Sequence, residues 1–313
     1  MPSRTGLRPL VVTRMVREST DIVSIELAGP RGEPLPPWEP GAHIDVQLVT
    51  RQQRQYSLCG DPADRSTYRI AVLREEFSRG ASMYVHDYLR VGRTVHAGTP
   101  RNLFPLLSSE RYLLLAAGIG ITPILPMARA LAERGAHWSL NYAVRDGAQF
   151  PFQAELDALG DRVTVNAPDR AGRLDLAQFL AEPRPGTAVY CCGPARFTDA
   201  VEEAMAAWPR GGLHLERFEP KIGVTRPNEP FTVRCVRSEV TVDVPAELSM
   251  LKALEIAGVA VPGSCLRGVC GSCAVTVLGG EPEHRDSLTS DEHSATMYPC
   301  VSRSLTPSLE IDV

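Results

Sequence analysis

Across 313 residues the chain is 43% hydrophobic and 22% charged, with a formal net charge of −4. That balance describes a globular protein with apolar residues enough for two or three cores, and it argues against nucleic acid as a partner. The charge is uneven: residues 231–313 hold six Lys and Arg against eleven Asp and Glu, a net of −5, which leaves +1 for the rest. An acidic face can dock a basic partner, although a solvated surface gives the same count. Residues 1–10 contain two arginines and no apolar stretch of the kind a secretory leader carries. The longest apolar run, 113–127, is too short for a bilayer and holds Gly118, Gly120, Pro123 and Pro126. A cytoplasmic chain with no membrane segment is expected, which suits cysteines kept as thiols.

In the first third, short strands are expected at Leu10–Arg17, Ile22–Leu27, His43–Leu48, Gln53–Leu58 and Tyr68–Leu73, broken by prolines and glycines between them. Strands at this spacing suggest an antiparallel β-barrel. A helix is expected at Ala81–Leu89. Two stretches look chemical: Arg54-Gln55-Tyr56-Ser57-Leu58 at a strand end, and the turn Phe77-Ser78-Arg79-Gly80-Ala81-Ser82 that opens the helix. A small-residue turn at a helix start offers free N–H groups to a phosphate, arginine can fork onto it, and tyrosine can lie along an aromatic ring. Each stretch alone is weak evidence.

From about residue 106 the pattern alternates. Strands are expected at Tyr112–Ala117, Trp138–Val144, Val163–Asn166 and Thr187–Cys192, and helices at Ile124–Arg134, Phe152–Leu159, Asp175–Leu180 and Phe197–Ala206. Such alternation makes an α/β parallel sheet, whose ligands sit at the strands' carboxyl ends. Two loops lie there: Gly118-Ile119-Gly120-Ile121-Thr122-Pro123, and Cys192-Gly193-Pro194. The glycines let backbone approach a pyrophosphate, and Thr122 can donate to it. The loop is not the full dinucleotide fingerprint, so a plain strand-to-helix turn remains open. Cys191 is expected to face the core.

The residues 220–230, rich in Pro and Gly, read as a linker. Beyond it, strands Phe231–Val236 and Val240–Val244, a helix over Glu247–Ala257 and a strand over Cys273–Leu278 fit an α+β β-grasp. The chemistry lies in Cys265-Leu-Arg-Gly-Val-Cys270-Gly-Ser-Cys273 with Cys300 downstream, the C-x4-C-x2-C…C spacing of a plant-type [2Fe–2S] cluster. Structural zinc more often shows two C-x2-C pairs, and disulfides need an oxidising compartment. Cys235 is off the pattern and expected in the core, while His284 and His293 are expected to face solvent.

Taken in order, Arg54-x-Tyr56-Ser57, Gly80-Ala81-Ser82, Gly118-x-Gly120-x-Thr122-Pro123 and Cys192-Gly193-Pro194 resemble the ferredoxin–NADP reductase superfamily. With the plant-type cysteines last, the chain resembles the phthalate dioxygenase reductase group along its whole length. The resemblance implies a flavin barrel at 1–105, a nicotinamide domain at 106–220, a linker at 221–230 and a ferredoxin domain at 231–313. It implies that Arg54 and Gly80, Ala81 and Ser82 hold the flavin phosphate, although relatives often have glycine where Ala81 stands. Tyr56 would pack on the flavin, Ser57 and Leu58 would lie beside it with Ser57 near N5, and Ala71, Val72 and Leu73 would line the ring. Gly118, Gly120, Thr122, Pro123, Gly193 and Pro194 would hold the dinucleotide, with Cys192 near the hydride-donating carbon and Phe218 against the flavin. Cys265, Cys270, Cys273 and Cys300 would hold the cluster. FMN is implied over FAD. Arg145 followed by Asp146 is a mixed signal at the place where a 2′-phosphate is read, and the resemblance favours NADH. The expected partner is a Rieske-type terminal oxygenase of an aromatic dioxygenase or demethylase. Alternatives are the same electron chain feeding a haem or di-iron monooxygenase, or a ferredoxin-like carrier that is not an enzyme.

Overall fold

The computed structural model describes residues 6–48, 53–75, 80–169, 172–209, 211–221, 226–288 and 294–313. Phe77, Ser78 and Arg79 of the expected phosphate turn, residues 222–225 of the expected linker and His293 lie outside the described residues. The chain forms two compact units, Met1–Glu216 and Arg217–Val313.

The first half of the first unit is an antiparallel sheet of β1 (Arg8–Arg17), β2 (Ile22–Ala28), β3 (Ala42–Gln47), β4 (Gln53–Ser57), β5 (Thr67–Leu73), β6 (Thr94–Ala97) and β7 (Arg101–Asn102), with helix α1 (Ala81–Asp87) between β5 and β6. The strand order is β4-β3-β6-β1-β2-β5, with β7 on β3. The two end strands meet where Cys59 N–H donates to the Arg69 carbonyl at 2.8 Å, so the sheet curls into a barrel. Alternation sends Leu10, Val12, Ile25, Leu27, Ile44, Val46, Ile70 and Val72 into its interior. β6 and β7 were not foreseen, because Thr-Val-His-Ala and Arg-Asn are too short to show a period.

The second half is a sheet of β8 (Arg111–Ala117), β9 (His137–Ala143), β10 (Val163–Asn166), β11 (Thr187–Gly193) and β12 (Leu213–Arg217), with helices α2 (Ile121–Glu133), α3 (Gln153–Asp157), α4 (Leu176–Phe179) and α5 (Ala195–Ala204) between them. The order is β10-β9-β8-β11-β12, and β8, β9, β10 and β11 run parallel. The chain therefore moves one way from β8 through β10, then crosses back to β11. The point of reversal lies between β8 and β11, where an open α/β sheet presents its ligand crevice. Leu113, Leu115, Val189, Cys191, Val201 and Trp208 pack one core on this sheet, so Cys191 faces inward as expected.

The second unit contains β13 (Phe231–Cys235), β14 (Val240–Val244), helix α6 (Met250–Ile256), β15 (Val275–Gly279), β16 (Pro282–Glu283), β17 (Thr296–Met297), β18 (Arg303–Ser304) and β19 (Ser308–Ile311). Its sheet order is β14-β13-β19-β15-β17, with β13 and β19 parallel and β16 paired to β18. Ser249 caps α6 by accepting from the Lys252 N–H. Phe231, Val233, Cys235, Leu254, Leu309 and Ile311 form its own core, which is where Cys235 was expected. His284 is different from expectation: pairing of β16 with β18 turns it inward, its side chain is 9% exposed, and Nδ1 lies 3.8 Å from Asp286. Among the described residues no helix is long and apolar enough to cross a membrane.

Candidate functional site

At the β8–β11 crevice the two expected loops meet. A Cβ on Gly120 would lie 2.2 Å from the Cys192 carbonyl oxygen, and one on Gly193 would lie 2.9 Å from Ala117 Cβ and from the Phe197 ring. These two glycines are needed for loop to pass loop. Gly118 differs: its φ is +53° and a Cβ there would meet nothing within 4 Å. Gly118 therefore leaves the open face that a ligand can approach. Its carbonyl accepts from the Tyr142 hydroxyl at 3.0 Å, at the buried end of β9. Tyr142 was not singled out in the sequence, since nothing distinguishes it from any buried strand tyrosine.

Thr122 is placed in this loop but not as expected. Its hydroxyl donates to the Ile119 carbonyl at 2.9 Å and is buried. With one proton, it cannot also donate to a pyrophosphate. It fastens the turn, and the loop's own N–H groups are left to meet an anion. Pro123 sits in the first turn of α2, where a missing N–H leaves no bond unmade. Pro194 caps α5 directly after Gly193. Arg145, two residues past β9, is 91% exposed and pairs with Asp21 at 3.7 Å.

On the barrel, β4 divides its residues by face. Tyr56 is half-buried at the rim of the interior, and burial pushes its phenol up to about 12. Leu58 follows it inside the barrel. Arg54, on the same side, donates to the Gln53 carbonyl at 2.8 Å. On β5, Val72 points into the barrel core, so Ala71 and Leu73 take the opposite face. Gly80, at φ +105°, precedes α1; Ala81 is buried, and Ser82 Oγ accepts the Glu75 N–H at 3.3 Å.

Ser57 leaves β4 on the other face from Tyr56 and reaches the crevice. Its hydroxyl donates to Glu216 Oε2 at 3.4 Å, near the end of β12. Protein packed around the Glu216 carboxyl pushes its pKa up to about 8, with the Ser57 bond pulling slightly the other way. Cys192, wholly buried, is raised well above the ordinary thiol range, first by burial and second, once Glu216 ionises, by its negative charge. One hydroxyl, one protonated carboxyl and one neutral thiol thus gather where barrel and sheet meet. Glu216 was missed as a member because its partner is 159 residues away. Phe218 stands just past β12 and is half-buried.

In the second unit the four cysteines influence one another as two pairs, Cys265 with Cys270 and Cys273 with Cys300. Two thiolates for each of two irons is the arrangement a [2Fe–2S] cluster takes. The loop curls by left-handed backbone at Leu266 (φ 58°), Gly268 (φ 69°) and Gly271 (φ 67°). That curl aims N–H groups inward: Arg267 N–H donates to Cys265 Sγ at 3.3 Å, and the Gly268 backbone serves Cys300. Ser272 Oγ lies 3.1 Å from Cys270 Sγ. The bond from Cys270, helped by the N–H groups of Val269 and Arg267, brings the Cys265 thiol down to about 6. Donors aimed at sulfur are what a thiolate cluster needs, so the residues fit the group.

Comparison with known proteins finds both domains. The 2Fe-2S iron-sulfur cluster binding domain matches residues 233–304, and the oxidoreductase NAD-binding domain matches residues 114–203. The phthalate dioxygenase reductase of Burkholderia cepacia is 38% identical over 319 residues, covering 100% of this chain and 99% of the relative. A solved phthalate dioxygenase reductase superposes with a TM-score of 0.72 at 38% identity, with 100% of both chains covered. A type IV self-sufficient cytochrome P450 monooxygenase superposes with a TM-score of 0.92 at 37% identity; this chain is matched over 100% of its length but spans only 43% of that protein. The chain belongs to the phthalate dioxygenase reductase group of oxidoreductases, with a nicotinamide-binding domain and a [2Fe–2S] domain on one polypeptide.

Proposed function

We infer that this chain is an NADH-dependent reductase that feeds single electrons to the Rieske-type oxygenase component of an aromatic dioxygenase or demethylase. The observation that carries the reading is the meeting of Ser57, Glu216 and Cys192 at the sheet's switch point, on a chain that also holds two cysteine pairs. Residues 1–105 are assigned to the flavin, 106–220 to the nicotinamide dinucleotide and 231–313 to the cluster. FMN is the assigned flavin, in keeping with the phthalate dioxygenase reductase group. The three cofactors supply hydride donation, conversion of a two-electron donor into one-electron steps, and one-electron transfer.

The chain's own part is placement. Arg54 and Gly80–Ser82 would hold the flavin phosphate, Tyr56 and the outward face of Ala71 and Leu73 would meet the ring, and Phe218 would cover it. The Gly118 face and the N–H groups of the α2 turn would take the pyrophosphate. Cys192, Gly193 and Pro194 would set the nicotinamide beside Ser57. Ser57 and protonated Glu216 offer a proton-bearing pair at that point, and neutral Cys192 keeps charge away from it. Arg145, exposed and paired only at 3.7 Å with Asp21, would turn to the dinucleotide's ribose. In the second unit, inward N–H groups would stabilise charge on the cluster's sulfurs. Eight cysteines without a disulfide support a reducing, cytoplasmic setting.

A haem monooxygenase as acceptor is the second reading, supported by the match to a P450 that carries such a module within its own chain. Anaerobic mixing with NADH and with NADPH, following flavin and cluster absorbance together, tests the core of the proposal. NADH is expected to bleach the flavin first and the cluster second. Cys270→Ser should leave flavin reduction intact and abolish transfer to cytochrome c. Full-rate cytochrome c reduction by that variant overturns the electron order, and no bleaching of the parent protein overturns the reductase reading. Reconstitution with a Rieske oxygenase and with a P450 separates the two acceptors.

A further inference from the structure

The two elements that carry the reaction site, β4 and α2, are joined away from it by a group of charged side chains. Arg129, on the third turn of α2, donates Nη1 to the Gly60 carbonyl at 3.1 Å and to the Cys59 carbonyl at 3.4 Å. Cys59 and Gly60 continue the segment that bears Tyr56 and Ser57. The first turn of α2 bears Thr122, about 10 Å along the helix axis from Arg129 at 1.5 Å per residue. One guanidinium thus ties the flavin segment to the helix whose first turn is the dinucleotide loop.

The tie does not stand alone. The other Arg129 nitrogen, Nη2, pairs with Glu155 of α3. Glu155 pairs in turn with Arg69 of β5 at 2.7 Å, and Arg69 with Glu18, in the β1–β2 turn, at 2.7 Å. Glu18 accepts the Phe152 N–H at 3.3 Å, at a residue held in left-handed backbone (φ 61°), and Arg69 lies over the Phe152 ring at 4.8 Å. The four charged side chains are 9–28% exposed, so they are little screened by solvent. Pro126, Arg129 and Ala130 of α2, with Trp38, Gly60 and Arg69, line an open pocket of about 610 Å³ beside this group. At this edge the barrel and the parallel sheet are held by directed charge.

We propose that Arg129, with Glu155, Arg69 and Glu18, is a positioning clamp that fixes the dinucleotide loop against the flavin segment and so sets the hydride-transfer distance. The inference rests on the reductase reading. None of the four touches the reacting atoms. A misplacement of about 1 Å between donor and acceptor lowers a transfer rate on the order of 100-fold, whereas binding the dinucleotide tolerates it. The clamp therefore acts on the rate at saturation and leaves half-saturation almost unchanged.

The test compares full-length holoprotein with Arg129→Gln, Arg129→Lys and Glu155→Gln. Stopped-flow flavin reduction by NADH gives the limiting rate and the half-saturating concentration. The long-wavelength charge-transfer band of the NADH complex and amide exchange of segments 57–60 and 118–122 give two readouts besides rate. Arg129→Gln should lose at least 10-fold in limiting rate, weaken the band and speed exchange in both segments, with half-saturation within twofold. Arg129→Lys, which keeps the charge, should recover most of the rate. Glu155→Gln, which leaves the Cys59 and Gly60 bonds in place, should lose about threefold and serves if Arg129→Gln does not fold. Limiting rate and band unchanged in the folded variants, even with a lower melting temperature, overturn the clamp alone. A parent protein that NADH does not reduce overturns the reductase reading and the clamp with it.

Discussion

Burial holds the Glu216 carboxyl near 8, while the same group in an unfolded chain titrates near 4.5. Between those values the folded chain binds more protons than the unfolded one, so stability falls as pH rises through the window and levels above it. Glu216→Gln cannot ionise and escapes that fall. The variant should match the parent near pH 4.5 and exceed it by on the order of 2 kcal/mol at pH 9, after allowance for the part of Glu216 that solvent reaches. Thermal melts at pH 5, 7 and 9 check this, and a gap that does not change with pH would mean an ordinary carboxylate. Ser57→Ala removes the bond that pulls the pKa down, so the window should extend further upward. Single residues divide sharply in how far they can be read from sequence. The four cysteines are legible because their chemistry is their spacing. Glu216 is not, because a carboxyl's environment is made by chain far from it. Thr122 shows a third case, in which the residue lies in the expected loop while its hydroxyl is turned by the Ile119 carbonyl.

The cluster loop is an element whose shape is dictated by backbone sterics. Gly268 sits at φ +69°, and a Cβ there would lie 2.6 Å from Val301 Cγ2 and 3.0 Å from Asp286 Cα. An L-residue in that region costs about 1–2 kcal/mol before any collision, and Val301 adjoins Cys300, one of the four cysteines proposed to hold the cluster. Gly268→Ala should therefore displace the Cys265–Cys270 arm from the Cys273–Cys300 arm. Iron per chain and the cluster's visible bands are expected to fall severalfold, with flavin content and NADH bleaching of the flavin unchanged. Full iron loading would show that the loop relaxes at no cost. Elements with a long period, such as β8 and α2, are legible from alternation and apolar spacing. β12 was not, since Leu213 and Leu215 give only two alternating apolar residues and its place is set by packing beside β11 in the sheet core. The α6 boundary lies inside the expected one for a local reason, the Ser249 cap, which follows a turn and starts the helix at Met250.

At the scale of the whole molecule, each unit has its own core and its own chemistry. Phe231, Leu254 and Leu309 close one, and the barrel and parallel sheet close the other. Order along the chain was legible because most motifs are contiguous stretches of sequence, whereas the charged tie to α2 was invisible, being spread over residues 18, 69, 129 and 155. If the units fold separately, their covalent link serves transfer by keeping cluster and flavin at high effective concentration, which a short connection holds in the millimolar range. Separating the chain within Pro220–Pro230 and mixing the two pieces at equal micromolar concentration should thus leave NADH reduction of the flavin piece at its parent rate. Reduction of the cluster piece should slow by on the order of 100-fold or more and become proportional to its concentration, since a first-order step has become a second-order one. A cluster rate independent of concentration would mean that the pieces remain bound to each other, and that a non-covalent contact rather than the connection delivers the electron.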